Sequence, residues 1–314
     1  MRDVSGLTLN KAFAETAGLL REAGIDTPEL DARLLLCHVA GLTHEAYMAR
    51  ARDELGADAA LRLEALIARR LEREPVSRIV GLREFYGRAF LVDRHTLDPR
   101  PETETLIEAA LDLVERHGLR NQPLKLLDLG IGTGCILITL LAELPEARGL
   151  GTEISGAALK LAAANAERLG VADRASFVSC DWLDRIEGKF DLILSNPPYI
   201  PSAEIAGLSE EVARHDPLLA LDGGPDGLEA YRRIGARAGQ VLAQSGRILV
   251  EIGSEQAEAV AKILSEAGLR LEAEGAVRHD LAGRPRMVIA EAPQTGRAEG
   301  RSPKKALGKS PCSD

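Results

Sequence analysis

No stretch of this chain approaches the ~20 uninterrupted apolar residues that a membrane-spanning helix requires,. The opening residues, Met1-Arg2-Asp3-Val4-Ser5, lack the basic-then-apolar pattern of a secretory leader,. Both absences predict a cytoplasmic protein with no membrane partner. Its four cysteines (Cys37, Cys135, Cys180 and Cys312) form no Cys-x-x-Cys pair and show no metal-ligand spacing, so no metal is expected,. Buried, reduced thiols are predicted instead, because free cysteine packs as a small apolar residue. An excess of basic charge is missing as well. Lysine and arginine total 39 against 48 aspartates and glutamates, and the net charge of −9 lacks the footprint of a nonspecific nucleic-acid binder,. That balance suits a basic protein partner better. Aromatic residues make up only 3% of the chain, and Trp182 is its one tryptophan. There are no internal repeats.

What is present is a chain of 314 residues, 45% of them apolar, long enough for two domains,. Residues 1–82 read as a small helical bundle suited to substrate docking. Thr27-Pro28 supplies a cap and a first-turn proline, Leu30, Leu34 and Leu35 mark an apolar face, and Gly41 offers a stop,. Leu63, Leu66 and Ile67 repeat the helical spacing between Asp58 and Leu71,. Residues 83–98 are expected to form a hairpin or connector. Residues 99–292 then alternate strand and helix, with strands at 124–129, 151–154, 176–179, 190–195 and 247–252. Such alternation predicts a parallel sheet covered on both faces, closed by an antiparallel pair from 269–274 and 286–291. Residues 293–314 are rich in Gly, Ser, Pro and basic residues and are expected to form a disordered tail,.

Two motifs carry chemistry. The first is Asp128-Leu129-Gly130-Ile131-Gly132-Thr133-Gly134, a glycine-rich turn between a strand and a helix, where the backbone can approach a nucleotide-like ligand closely,. The dehydrogenase spacing G-x-G-x-x-G is absent, and the early third glycine favours an adenosyl and amino-acid ligand over a pyrophosphate. Glu153, at the end of the next strand, is placed to accept ribose hydroxyls. Trp182 follows another strand and could lie against an adenine, with Asp181 accepting from its exocyclic amine. An exposed strand-end acid and a packing tryptophan are the plainer alternatives.

The second motif is Asn196-Pro197-Pro198-Tyr199, at the end of an apolar strand. An amide nitrogen is a poor nucleophile, and to attack a methyl sulfonium it must be aimed and its hydrogens engaged. The Asn196 side-chain oxygen and the Pro197 carbonyl can each accept one N–H, the prolines stiffen the carbonyl, and Tyr199 can pack on the flat amide face. No general base is evident, and none is needed once the alkylated nitrogen becomes acidic. Arg214-His215-Asp216-Pro217 reads as a structural loop. Methyl transfer to an amide or amino nitrogen is the resulting expectation.

With these residues in view, the chain resembles the protein-(glutamine-N5) methyltransferases that act on peptide chain release factors. The likeness runs from about residue 10 to 291. It includes Pro75 to Gly81, Phe85-Tyr86-Gly87, Pro99-Arg100-Pro101-Glu102-Thr103-Glu104, both motifs above, Leu221 to Gly227 and Glu251-Ile252-Gly253. It implies a Rossmann-like class I S-adenosylmethionine-dependent methyltransferase with an N-terminal helical bundle. S-adenosylmethionine is the implied donor, contacting Gly130, Ile131, Gly132, Thr133, Gly134, Glu153, Trp182 and Asn196. The acceptor is the glutamine of a release factor's Gly-Gly-Gln loop, held by Asn196, Pro197, Pro198 and Tyr199, with Asn196, Pro197 and Tyr199 catalytic. A monomer is expected. Glu153 stands where the family commonly has aspartate. Competing acceptors are a ribosomal-protein glutamine and the N6 of DNA adenine, the latter disfavoured by acidic charge and the lack of a recognition domain. A cofactor-binding regulator is the non-enzyme alternative.

Overall fold

A computed structural model describes residues 6–273, 275–280 and 282–293. The expected tail lies outside these residues, apart from Pro293, as does Cys312. Five helices come first: α1 (Leu9–Glu22), α2 (Pro28–Ala40), α3 (His44–Arg50), α4 (Ala57–Leu71) and α5 (Val76–Val80). They share a core built on Leu9, Leu35, Leu36, Tyr47, Leu63 and Ile67. Gly41 ends α2 in the left-handed conformation, and its N–H returns to the last carbonyls,. Two details differ from the sequence expectation. The Thr27 hydroxyl donates to the Asp31 carboxylate (2.9 Å) rather than capping a backbone N–H. Leu30 and Leu34 are 43% and 44% exposed, because α2 turns Ala32, Leu35, Leu36 and Val39 inward. That rotation brings Asp31 to the buried Arg70 of α4 at 2.7 Å.

A two-stranded hairpin, β1 (Leu82–Phe85) and β2 (Arg88–Leu91), leads through a 3-10 turn at Pro101–Thr103 into α6 (Glu104–Arg116). The alternating region follows as β3 (Lys125–Leu129), α7 (Cys135–Glu143), β4 (Arg148–Glu153), α8 (Gly156–Arg168), β5 (Ala175–Ser179) and β6 (Phe190–Ser195). It continues with α9 (Glu210–His215), α10 (Glu229–Val241), β7 (Leu242–Glu251), α11 (Ala257–Glu266), β8 (Arg270–Leu271), β9 (Val277–His279) and β10 (Pro285–Glu291). The sheet runs β5-β4-β3-β6-β7-β10-β8, with β9 also paired to β10. The first five strands in that order are parallel, and β10 is antiparallel to β7, β8 and β9.

Alternation along the strands explains why both faces are covered. Leu126, Leu192, Leu194, Leu249 and Ile289 pack on one face with Ile107 of α6 and Leu137 of α7. Their neighbours Leu127, Leu129, Ile193, Ile248, Val250 and Val288 pack on the other with Tyr231 of α10 and Leu264 of α11. The parallel strands therefore end at one edge, where Asp128, Glu153, Asn196 and Glu251 lie at or just beyond the strand ends. Among the three described cysteines all thiols are free, but only Cys135 is buried; Cys37 and Cys180 are half-buried. Among the described residues no helix is long and apolar enough to cross a membrane.

Candidate active site

Between the ends of β3 and β6, where the strand order reverses direction, open α/β sheets form a ligand crevice. A cavity of about 760 Å³ occupies this edge, lined among others by Gly130, Gly132, Glu153, Trp182, Asn196 and Pro198. Of the residues singled out from sequence, Ile131, Thr133, Gly134, Pro197 and Tyr199 do not line it. Ile131 packs into the core. Thr133 is buried, with its carbonyl accepting from the Asn165 amide at 2.9 Å. Gly134 caps α7. Pro197 is buried, and Tyr199 packs against the second sheet-face core. Burial beside Glu251 pushes the Tyr199 phenol up to about 12.

The glycine turn has the left-handed backbone its composition anticipates: Gly130, Gly132 and Gly134 have φ of +71°, +52° and +83°,. Its first two N–H groups after β3, Gly130 and Ile131, bond to the Thr152 carbonyl of β4 at 2.9 and 3.0 Å. The third is taken by Glu153, whose carboxylate accepts from Gly132 N (3.1 Å), Ile154 N (2.9 Å) and Ser155 N (3.1 Å). Glu153 thus joins the turn to the start of α8. Trp182 also adopts a left-handed φ, +52°, a strained state for a non-glycine residue that gathers at ligand sites,. A Cβ on Gly130 would stand 3.5 Å from its ring, so the indole covers the turn. Asp181 is paired with Arg233 of α10 at 2.7 Å.

Beneath the turn lies Asp128, completely buried at the end of β3. One carboxylate oxygen accepts from Leu137 N in the first turn of α7 (3.2 Å), and the other has no partner among the described residues. Burial is the main cause that lifts its pKa to about 7,.

Asn196 is held by its nitrogen. Nδ2 donates to the Thr103 hydroxyl at 3.0 Å. Beside them stands the Glu251 carboxyl, buried at the end of β7; burial raises its pKa to about 7, against the lowering influence of Thr103, Arg286 and Asn196. Neither the Asn196 side-chain oxygen nor the Pro197 carbonyl has a hydrogen-bond partner among the described residues. The loop that follows is backed by 221–227. Ile200 N bonds to Leu221 O (3.1 Å), Gly223 N to Ile200 O (2.9 Å), and the Gln256 amide to Tyr199 O (2.9 Å).

Three features were not anticipated as parts of the site. Thr103 and Glu251 sit in segments that carried the family resemblance without an assigned chemical role. Asp216, in the loop read as structural, is buried and bridges Arg78 of α5 and Arg100, each at 2.6 Å. With the Arg70–Glu211 pair at 2.6 Å it fastens the five helices to the segment 209–217, which runs into Pro217, Leu218 and Leu219 at the cavity wall.

The cavity fits an adenosyl-amino-acid ligand. It has a glycine turn without Cβ atoms, an acid at the neighbouring strand end, an indole over the turn and an amide facing it from the next strand.

The chain matches the PrmC N-terminal domain over residues 11–81 and the methyltransferase small domain over residues 109–213. A release factor glutamine methyltransferase from Rhodospirillum rubrum is 48% identical over 265 residues, covering 84% of this chain and 80% of the relative. One from Cereibacter sphaeroides is 49% identical over 251 residues, covering 80% and 87%. Among solved structures, the hMettl16 catalytic domain in complex with MAT2A 3′UTR hairpin 6 superposes with a TM-score of 0.52 at 19% identity, covering 70% of this chain and 80% of that one. That likeness is one of fold, the Rossmann-like fold of class I methyltransferases, here joined to an N-terminal helical region.

Proposed function

The chain belongs to the release factor glutamine methyltransferase family, and on that premise we propose that it methylates the side-chain nitrogen N5 of the glutamine in a release factor's Gly-Gly-Gln loop. The cofactor is S-adenosylmethionine, which supplies a methyl group on a positively charged sulfur. The glycine turn, from Gly130 through Ile131, Gly132 and Thr133 to Gly134, lets the backbone approach it. Glu153 keeps lone pairs free for ribose hydroxyls, and Trp182 covers the base.

The observation that carries this reading is the anchoring of Asn196 by its nitrogen, which leaves its side-chain oxygen as an acceptor at the cavity. That oxygen and the Pro197 carbonyl take the two N–H groups of the glutamine amide, while Pro198 and Tyr199 hold the loop's shape. Engaging both hydrogens fixes the amide plane and turns the nitrogen lone pair toward the methyl group. It also favours the positive charge that grows on nitrogen during attack. With the methyl donor held there, the glutamine nitrogen would become acidic as it is alkylated and would release its proton to water, so the loop needs no dedicated base.

The domain division into 1–82, 83–98, 99–292 and 293–314 belongs to the same proposal, with the helices docking the release factor. So do a cytoplasmic location and a monomeric enzyme. The test is transfer of labelled methyl to unmethylated release factor, with a Gln→Ala substitution in its Gly-Gly-Gln loop as control. Label on the wild-type factor alone is expected, and Asn196→Ala abolishes it while leaving the fold intact. Label on DNA or ribosomal protein instead would overturn the substrate.

A further inference from the structure

An asparagine amide is almost symmetric in shape, yet only one of its ends can serve this reaction. If the group turned over, its NH2 would meet the NH2 of the glutamine, donor against donor, and the nitrogen would be pushed away. Nothing in the Asn196-Pro197-Pro198-Tyr199 sequence itself prevents that rotation. The discrimination has to come from outside the loop.

Two side chains supply it, one from each side of the strand end. Thr103 is 2% exposed and closes the 3-10 turn before α6. Its oxygen stands 3.0 Å from Asn196 Nδ2. Glu251 is 3% exposed at the end of β7, the strand beside β6. The backbone carbonyl of Glu251 accepts from the Tyr231 hydroxyl at 2.8 Å, which pins the residue. The Glu251 carboxyl faces the same pair, its ionised form favoured by both Thr103 and Asn196. A threonine hydroxyl has one proton. With that proton directed to a Glu251 carboxylate oxygen, the threonine turns a lone pair toward Asn196, in keeping with the 3.0 Å contact to the amide nitrogen. The amide end that faces these two acceptors must be the NH2.

We propose that Thr103 and Glu251 are positioning residues that lock the Asn196 amide with its oxygen toward the acceptor nitrogen. This deepens the function proposed above and rests on it. Glu251 keeps one carboxylate oxygen buried without a partner among the described residues. Burying an incompletely bonded carboxyl is costly for the fold. An apolar residue would serve a purely structural strand end better.

The experiment compares Thr103→Val, which keeps shape but cannot accept, with Thr103→Ser, which restores the hydroxyl. Glu251→Met, of similar length, removes the second acceptor. The side-chain amide signal of Asn196, identified by its loss in Asn196→Asp, is followed by nitrogen-edited NMR. Solvent exchange of its protons should be at least about tenfold faster in Thr103→Val and Glu251→Met than in wild type, and slow again in Thr103→Ser. Turnover on release factor should fall about 10²-fold in Thr103→Val with S-adenosylmethionine affinity unchanged, and Thr103→Ser should recover most of it.

Unchanged amide exchange in both Thr103→Val and Glu251→Met would overturn the proposal. So would a Thr103→Ser variant as impaired as Thr103→Val despite normal unfolding. If wild-type enzyme fails to label release factor, the function proposed above falls, while the amide exchange still decides the positioning roles.

Discussion

Replacing Gly223 with alanine would press one methyl group against the back of the reacting loop. A Cβ built at Gly223 stands 2.8 Å from Pro198 O, 2.8 Å from Gly227 Cα and 2.9 Å from Gly227 O. These distances lie about 0.6 Å or more inside the ~3.5 Å optimum for nonbonded carbon contacts. All three neighbours are backbone atoms, so no flexible side chain can swing aside. Gly223 has no left-handed φ, so the effect is steric and local. Overpacking of this kind costs about 1–3 kcal/mol of stability. The displaced Pro198 carbonyl adjoins Pro197, whose own carbonyl is proposed to hold one N–H of the acceptor amide. A shift of a few tenths of an ångström there should lower turnover about 10- to 100-fold. Urea unfolding and labelled-methyl transfer would be measured together, with Gly207→Ala as control, because a Cβ at Gly207 meets nothing within 4 Å. Gly223→Ala with the unfolding midpoint and turnover of wild type would show that 221–227 does not brace the loop.

Glu251→Gln should change how stability depends on pH. The native carboxyl keeps its proton up to about pH 7, whereas the unfolded one releases it above about 4.5, so wild-type stability falls as pH rises through that window,. The substitution should remove about 3 kcal/mol of that fall, read from urea titrations at pH 5 and pH 8; parallel wild-type and variant curves would contradict it. Glu153→Ala should weaken S-adenosylmethionine binding about tenfold or more by calorimetry, because it takes the acceptor from Gly132 N as well as from the ribose,. An unchanged dissociation constant would remove that role. Asp216→Asn leaves Arg78, buried on α5, with Asp98 at 3.5 Å as its remaining carboxylate and should cost about 1–3 kcal/mol in unfolding free energy,; a loss below about 0.5 kcal/mol would show that the bridge contributes little.

The sheet was legible because its strands are short apolar runs separated by turns and helix patterns, and residues 190–195 agree with β6 to the residue. β9 was missed because three residues, Val277–His279, carry no usable periodicity,. Helix α2 offered two apolar stripes. Local spacing favoured Leu30 and Leu34, but the helix turned its other stripe inward, with Asp31 against Arg70 on a helix packed across it. Within the site, the glycine turn and Asn196 were readable because each motif is continuous in sequence. Thr103, Asn196 and Glu251 meet only in three dimensions, across gaps of 93 and 55 residues that follow from their numbers. The Arg78–Asp216 bridge spans 138 residues and leaves no mark on any local pattern.

The strand order also sets the sequence of events as the chain emerges during synthesis. By residue 80 the five N-terminal helices have all the side chains of their shared core and can pack at once,. The sheet has to wait. β3, near the middle of the order, gains β4 soon after it is made, but its other neighbour, β6, ends only at Ser195. β7 cannot be framed on its second side until β10, at Pro285–Glu291, has left the ribosome. Asn196 therefore acquires both anchors only when Glu251 reaches its place beside β6. A chain cut short before residue 251 would contain every residue of the helical cluster and of the glycine turn, yet lack the part that tells the two ends of the amide apart.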